Sequence, residues 1–329
     1  MSKKENDGNL GKIQNLVIFK TKEDSRSEVI DKYTFEKVDQ EDKIKLHNEL
    51  EPYSGHFRYS ILIDNQSLAS ITEMKIKIKY PEFLTLIRCF PPTINIPQAI
   101  TEKDTKQIKL EFDELNEKSK IQIHLHFTPN ILDKVGEIRT IVTYVNNKDT
   151  VRVLDSRPAE IIIDSITIEP KVVPSSFIRK FSQQPGIKNV IKSMGIGIEH
   201  QIPSEIYYHI LEQSFLFHKF QLVAKDVEKR ILWYFGTESK IKQDLLAIGQ
   251  IVSNKIEIIA SSLNPYLLVS FLTLFSNDFK ERLLMNGIVN SKNLIYDLEC
   301  KHCGAVLPYF PNKGEAVECT NCKYEQKIW

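Results

Sequence analysis

Three features of the sequence predict a multidomain α+β protein. Apolar and polar residues alternate with a period of two between Phe57 and Ile168. A helical stripe, four strand-like runs and a second helical stripe follow up to Gly287, and four cysteines then occur as two Cys-x-x-Cys pairs. The expected order is an antiparallel immunoglobulin-like β-sandwich over residues 49–169, a small αββββα domain over 170–290 and a zinc ribbon over 294–329, preceded by a polar arm over 1–48.

The sandwich rests on its strands. Met74, Ile76, Ile78 and Tyr80 alternate with Lys75, Lys77 and Lys79, which places one face in a core and a row of ammonium groups in water. Ile108, Leu110 and Phe112 repeat the pattern, as do Ile121, Ile123, Leu125 and Phe127. Further strands are expected at 57–64, 137–145, 150–154 and 160–168, separated by turn signals such as Asp64-Asn65, Pro91-Pro92 and Asn146-Asn147. About seven short strands with no helix-length period between them fit an antiparallel sandwich. The arm is rich in Lys, Glu, Asp and Asn and holds one strand-like run at 16–20, which reads as loosely attached chain.

The segment from Pro170 to Pro185 carries three prolines and reads as a connection. Pro203 and Ser204 then open a helix with Ile206, Ile210, Leu211 and Phe215 on one stripe. Strand candidates at 219–225, 230–236, 244–253 and 255–261 suggest a meander, with turns at Gly236-Thr237 and Ser253-Asn254. Asn264-Pro265 starts a helix buried through Leu267, Leu268, Phe271, Leu272, Phe275, Phe279 and Leu283, and Asn286-Gly287 ends it. This order of elements, with the runs from Arg230 to Gly236 and from Lys255 to Ser262, resembles the appendage (ear) domains of adaptin and coatomer subunits over residues 50–287. The resemblance implies that the αββββα part is a platform offering an aromatic-lined groove to short peptides, with Trp233 as a candidate anchor. The chain departs from that family in carrying a zinc ribbon after the platform. An aromatic residue in an apolar strand also suits the core, so Trp233 has both readings.

Cys300, Cys303, Cys319 and Cys322 are the expected zinc ligands, with fifteen residues between the pairs. Each Cys-x-x-Cys lets two thiolates converge from one tight turn, and two such turns complete a closed tetrahedral shell. Gly304 suits the left-handed turn after a knuckle, and Val306, Leu307, Val317 and Trp329 are candidates to cover the metal. His302 reads as an exposed polar residue, since four cysteines already satisfy the ion. Residues 299–329 balance Lys301, Lys313, Lys323 and Lys327 against Glu299, Glu315, Glu318 and Glu325, which argues against phosphate binding even though Tyr309, Phe310 and Tyr324 are available for stacking. A nucleic-acid-associated factor using the ribbon is therefore the alternative to a protein or peptide binder.

The whole chain has 44 Lys+Arg against 43 Asp+Glu, so its overall charge draws in no polyanion. Met1 to Gly11 lacks an apolar stretch of the signal-peptide kind, and the most apolar run, from Tyr266 to Phe275, is too short to span a bilayer. A cytoplasmic protein without a membrane span is expected. Cys89, among Leu86, Ile87 and Phe90, reads as a buried inert thiol. His124 and His126 share a strand face in its polar phase and are expected in water; the acidic run Glu111, Asp113, Glu114 and Glu117 reads as a solvated loop. Gly195-Ile-Gly197 lacks the third glycine and the preceding strand of a dinucleotide loop, and no catalytic motif occurs. The reading is a non-enzymatic interaction module with one structural zinc and no small-molecule substrate.

Overall fold

The computed structural model describes residues 11–13, 16–18, 43–94, 99–102, 104–198, 202–252 and 254–329. Gly11–Ile13 (β1) and Leu16–Ile18 (β2) pair as a short hairpin, and the remainder of the expected arm up to residue 42 lies outside the described residues.

Ten strands follow: β3 (Ile44–Tyr53), β4 (His56–Asn65), β5 (Ile71–Pro81), β6 (Leu84–Phe90), β7 (Ile100–Glu102), β8 (Thr105–Leu115), β9 (Lys120–Pro129), β10 (Lys134–Val145), β11 (Val151–Asp155) and β12 (Ala159–Ile163). They form two antiparallel sheets, one in the order β3-β4-β9-β6 and one in the order β11-β10-β5-β8-β7, with β12 added to β10. The inward phase of each strand meets in one core that includes Tyr59, Ile61, Met74, Ile76, Ile78, Leu125 and Phe127. Burying each such side chain contributes about 1.5–3 kcal/mol, which fixes the register because a one-residue slip would expose the whole set.

Two boundaries differ from the sequence reading. β3 begins at Ile44, inside the span assigned to the arm, because Ile44, Leu46 and Leu50 turn inward from an otherwise polar edge strand. The run expected at 160–168 divides: β12 ends at Ile163, and Ile168–Pro170 (β13) joins a different sheet by pairing with Glu238 to Gly236.

That second sheet has the order β13-β16-β17-β18-β14-β19, with β15 also on β16. The supposed connection contains helix α1 (Ser175–Ser182), and strand β14 (Lys188–Ile196) follows it. Helix α2 (Ser204–Phe217) then leads into β15 (Gln221–Asp226), β16 (Ile231–Glu238), β17 (Asp244–Val252) and β18 (Lys255–Ser262), an antiparallel meander. Helix α3 (Pro265–Met285) and β19 (Ile295–Asp297) complete it. The Asn264 side chain accepts hydrogen bonds from the N–H groups of Tyr266 and Leu267, and Gly287 ends the helix at a φ of +67°.

Helices α2 and α3 cover one face of the sheet. Phe215, Phe275 and Tyr234 meet there, with Phe215 stacked on Tyr234 at 4.5 Å between ring centroids. The opposite face is covered at one end by α1, whose Phe181 stands edge-on to Phe235 at 5.1 Å. Helix α3 also reaches the sandwich. Val269 enters the sandwich core, and the turn between β3 and β4 presses close enough that a Cβ on Gly55 would sit 2.6 Å from Leu272 Cδ1. Among the described residues no helix is long and apolar enough to cross a membrane.

Candidate metal centre

The last segment folds as two hairpins facing each other. Glu299 bridges Val306 across the first Cys-x-x-Cys, and Ala316–Glu318 (β20) pairs with Glu325–Lys327 (β21) across the second. Both turns close alike. The N–H of Gly304 donates to Cys300 O at 2.8 Å, and that of Lys323 to Cys319 O at 2.9 Å. The N–H of Cys300 donates to Ala305 O, and that of Cys319 to Tyr324 O. Gly304 (φ +76°) and Lys323 (φ +62°) occupy the left-handed position that each turn requires.

The four sulfurs converge as a result. Cys300, Cys303, Cys319 and Cys322 have Sγ atoms all within 4.8 Å of one another, with 3.6 Å between Cys300 and Cys322 and between Cys303 and Cys319. A disulfide needs about 2.05 Å, so these are thiols gathered without being bonded. Such a cluster can hold a metal ion. Burial raises the Cys300 thiol above its ordinary range. Cys303 moves the other way, to about 6: burial opposes ionisation there, but hydrogen bonds from Asn321, the Ala305 backbone and the neighbouring thiols outweigh it.

Leu298, Leu307 and Val317 form a small buried core behind the sulfurs. Gln326 ties the hairpins together, accepting from Lys301 N at 2.8 Å and donating to Glu299 O at 3.1 Å. Trp329 does not lie over the cluster as the sequence suggested. It stacks on Phe310 at 5.5 Å, and its indole N–H donates to Pro311 O. His302 is half-buried and stacks on Tyr324 at 5.4 Å, so it is less exposed than anticipated. Tyr309 and Tyr324 are open to solvent, while Phe310 is packed against the module core.

The cysteine module is fastened both to the helix-covered sheet and to the sandwich. β19 pairs with the end of β14, and the N–H of Leu298 donates to Ser193 O. Of the two glycines set aside as a weak loop motif, Gly195 lies within β14 and Gly197 directly follows it, and what they do is admit rings. A Cβ on Gly195 would lie 2.7 Å from Phe310 Cε2 and nearer still to Cγ and Cδ2, and one on Gly197 would lie 2.6 Å from Tyr296 Cε2. Lys255, buried and paired with Glu257 at 2.6 Å, also donates to Leu307 O at 3.0 Å. Glu257 stays below the usual carboxylate range even though burial opposes this, because Lys255, Gln250 and Ser193 donate to it.

On the sandwich side, the Arg88 guanidinium fills the space where Gly304 would carry a side chain. Arg88 Nη2 lies 3.5 Å from His56 Nε2 and 3.4 Å from His126 Nδ1, and the two imidazoles share a hydrogen bond of 2.8 Å. The expectation that His126 faces water is therefore corrected: it is 5% exposed, because the outer face of its sheet is covered at this point. His124 is half-buried and bonded to Ser60 Oγ at 2.8 Å. Burial pushes both imidazoles down to about 3, reinforced at His56 by His126 and Arg88 and at His126 by Arg88 and His124. Cys89 is 6% exposed and pushed up to about 11 by burial, as an inert thiol should be.

Trp233 is half-buried on the sheet face opposite α2 and α3. Its neighbours Tyr234 and Phe235 are both fully buried, one on each face, so Trp233 is the member of the aromatic run that keeps contact with solvent. Across the ladders it stands in register with Ala224 and Ile248, and Ile248 with Ile259, and Ile259 with Ile191. Periodicity in each strand marked these residues singly; only strand order aligns them.

No family model matches the chain, and no curated protein matches it. Solved structures do. An uncharacterised protein from Nocardia farcinica with an immunoglobulin-like fold aligns at 8% identity over 37% of this chain and 98% of its own, with a TM-score of 0.25. AvmM, described as catalysing macrocyclization in alchivemycin A biosynthesis, aligns at 8% identity over 38% and 90%, with a TM-score of 0.27. The sporulation control protein Spo0M from Bacillus subtilis aligns at 10% identity over 67% and 79%, with a TM-score of 0.19.

Proposed function

We propose that this chain is a non-catalytic, cytoplasmic interaction scaffold, shaped by one structural zinc ion, that receives a protein or peptide on the sheet face around Trp233. The observation that carries the reading is the aligned row Ala224, Trp233, Ile248, Ile259 and Ile191. These five side chains cross five strands in register and none is fully buried. Helix α1 covers the same face on one side of the row through Phe235 and Leu246, and the cysteine module covers it on the other through Gly195 and Lys255. An apolar strip between two raised walls is a groove of the kind that peptide anchors fill. In this reading residues 170–290 act as an appendage-like platform beside the sandwich of residues 49–169, and the ribbon of 294–329 supplies one wall.

Zinc suits the sulfur cluster. Bonds of about 2.3 Å in a tetrahedron need sulfurs about 3.8 Å apart, close to the 3.6 Å of the two short pairs. A bound zinc would supply rigidity, because four thiolates leave no vertex for water or substrate. A segment this short buries too little to fold alone, so the metal would supply most of its folding energy, on the order of 10 kcal/mol. Four unbridged thiols also suit a reducing compartment.

Two measurements test this. Purified full-length protein should carry one zinc per chain by mass spectrometry of the metal, and Cys319→Ser should lose it; a metal-free wild-type protein refutes the zinc assignment. Proximity labelling in the native cell should lose its principal partner with Trp233→Ala or Ile191→Asp while zinc content is retained. An unchanged set of labelled proteins refutes the groove.

A further inference from the structure

A separate concavity of about 370 Å³ lies where the sandwich meets the second sheet, away from Trp233 and from the cysteines. Its floor is apolar: Phe57, Ile161 and Leu267 are all but fully buried. Its rim is apolar too, and open. Ile162, Ile241 and Tyr266 remain 47%, 49% and 52% exposed, an uncommon concentration of large hydrophobic side chains around one opening.

Charge distinguishes this groove from the strip beside Trp233. The carboxylates of Glu160, Asp164 and Glu238 line it against the single ammonium of Lys240. Glu160 and Asp164 are exposed. Glu238 is buried in the wall, its carboxylate accepting from the N–H groups of Lys240 and Ile241 at 2.8 Å each. The Lys240 ammonium is turned toward the Ser165 carbonyl, 3.4 Å away. The opening is thus apolar in shape and anionic in sign on a chain whose total charge is nearly balanced.

Backbone also lines it. Leu50 belongs to β3 and Glu160 to Ile162 belong to β12, and among the described residues β3 pairs only with β4 and β12 only with β10. The two strands border each other here, so an extended peptide can follow the exposed Glu160, Ile162 and Asp164, which are spaced two residues apart along the chain. A small solute would use the hollow but not this row.

We infer that this groove is a second docking site, for a peptide segment in which bulky apolar side chains alternate with lysine or arginine. The apolar side chains would enter the hollow between Tyr266 and Ile241, and the basic ones would meet Glu160 and Asp164. The inference rests on the scaffold reading above, and gives that scaffold two sites of different chemistry. Two linked sites raise overall affinity through effective concentration without any new contact.

The test uses full-length protein and three fluorescein-labelled dodecapeptides in an anisotropy titration: alternating Leu-Lys, alternating Leu-Glu and alternating Ser-Lys. The Leu-Lys peptide should bind, and at least tenfold more tightly than the other two. Glu160→Lys with Asp164→Lys, two exposed changes, should weaken it at least tenfold, and Tyr266→Ala should do the same, while Trp233→Ala should leave it unaltered. Absence of Leu-Lys binding overturns the inference, as does equal binding of Ser-Lys or indifference to both groove variants. Such an outcome leaves the zinc measurement and the Trp233 labelling result untouched, so the two readings fail separately.

Discussion

Gly195→Ala is the smallest change that should loosen the cysteine module. Residue 195 has an ordinary strand conformation, so alanine restricts the unfolded chain and by itself would add about 0.4–1 kcal/mol of stability. The native site has no room for it. A new Cβ would stand 2.7 Å or less from three atoms of Phe310, a ring that forms a cluster with Tyr296 and Trp329. Overpacking of this kind costs about 1–3 kcal/mol, and contacts this short with a ring belong at the upper end, so the net loss should be about 2 kcal/mol. The chain has two tryptophans, and Trp233→Phe leaves Trp329 as the sole indole, stacked on the ring in question. Urea titration followed by Trp329 emission should then show an earlier transition in Gly195→Ala. The decisive comparison adds Phe310→Ala: with the ring removed, Gly195→Ala should cost nothing or gain slightly. An equal cost with and without Phe310 would refute the packing argument.

Three further outcomes follow. His56 and His126 are held neutral well below the unfolded value of about 6.5, so the folded state binds fewer protons than the unfolded state from there down to about 3. Stability should be complete above pH 6.5 and fall as the pH drops, by up to about 1.4 kcal/mol per pH unit for each imidazole, and the double change His56→Gln, His126→Gln should flatten that part of a stability–pH curve. Gly304→Ala should release the module more severely than Gly195→Ala, since its φ of +76° disfavours any side chain and the Arg88 guanidinium fills the space; loss of zinc from the purified variant is the readout, and full retention would count against the contact. Phe215→Ala, deep under α2 against Tyr234 and Phe275, should cost about 3–5 kcal/mol in chemical denaturation, and a cost below 1 would mean that the helix face is not the core described.

Much of the architecture could be read from residue pattern, and the failures have physical causes. β5, β8 and β9 announced themselves because apolar and polar side chains alternate in each over ten or eleven residues. β14 did not, since Lys-Asn-Val-Ile-Lys-Ser-Met-Gly-Ile breaks the alternation at Ser193, which bonds Glu257, and at Gly195, where the Phe310 ring fills the space a side chain would take. Helix α1 is eight residues among prolines, too short for a stripe to stand out. His126 was misread because strand periodicity reports only which side of a sheet a residue takes. Whether that side meets water depends on partners distant in sequence, His56 and Arg88, and on the module that packs on Arg88 at Gly304. The four cysteines were legible because their chemistry is carried by local spacing, while the row through Trp233 needed strand order.

The short strand β19 shields the end of β14 by pairing Asp297, Tyr296 and Ile295 with Met194, Gly195 and Ile196. If the sulfur cluster holds the proposed zinc, a cell short of that metal would hold copies whose sheet ends in a raw, sticky margin, ready to zip onto the same margin of a neighbour. Metal scarcity would then register as clumping of otherwise folded molecules.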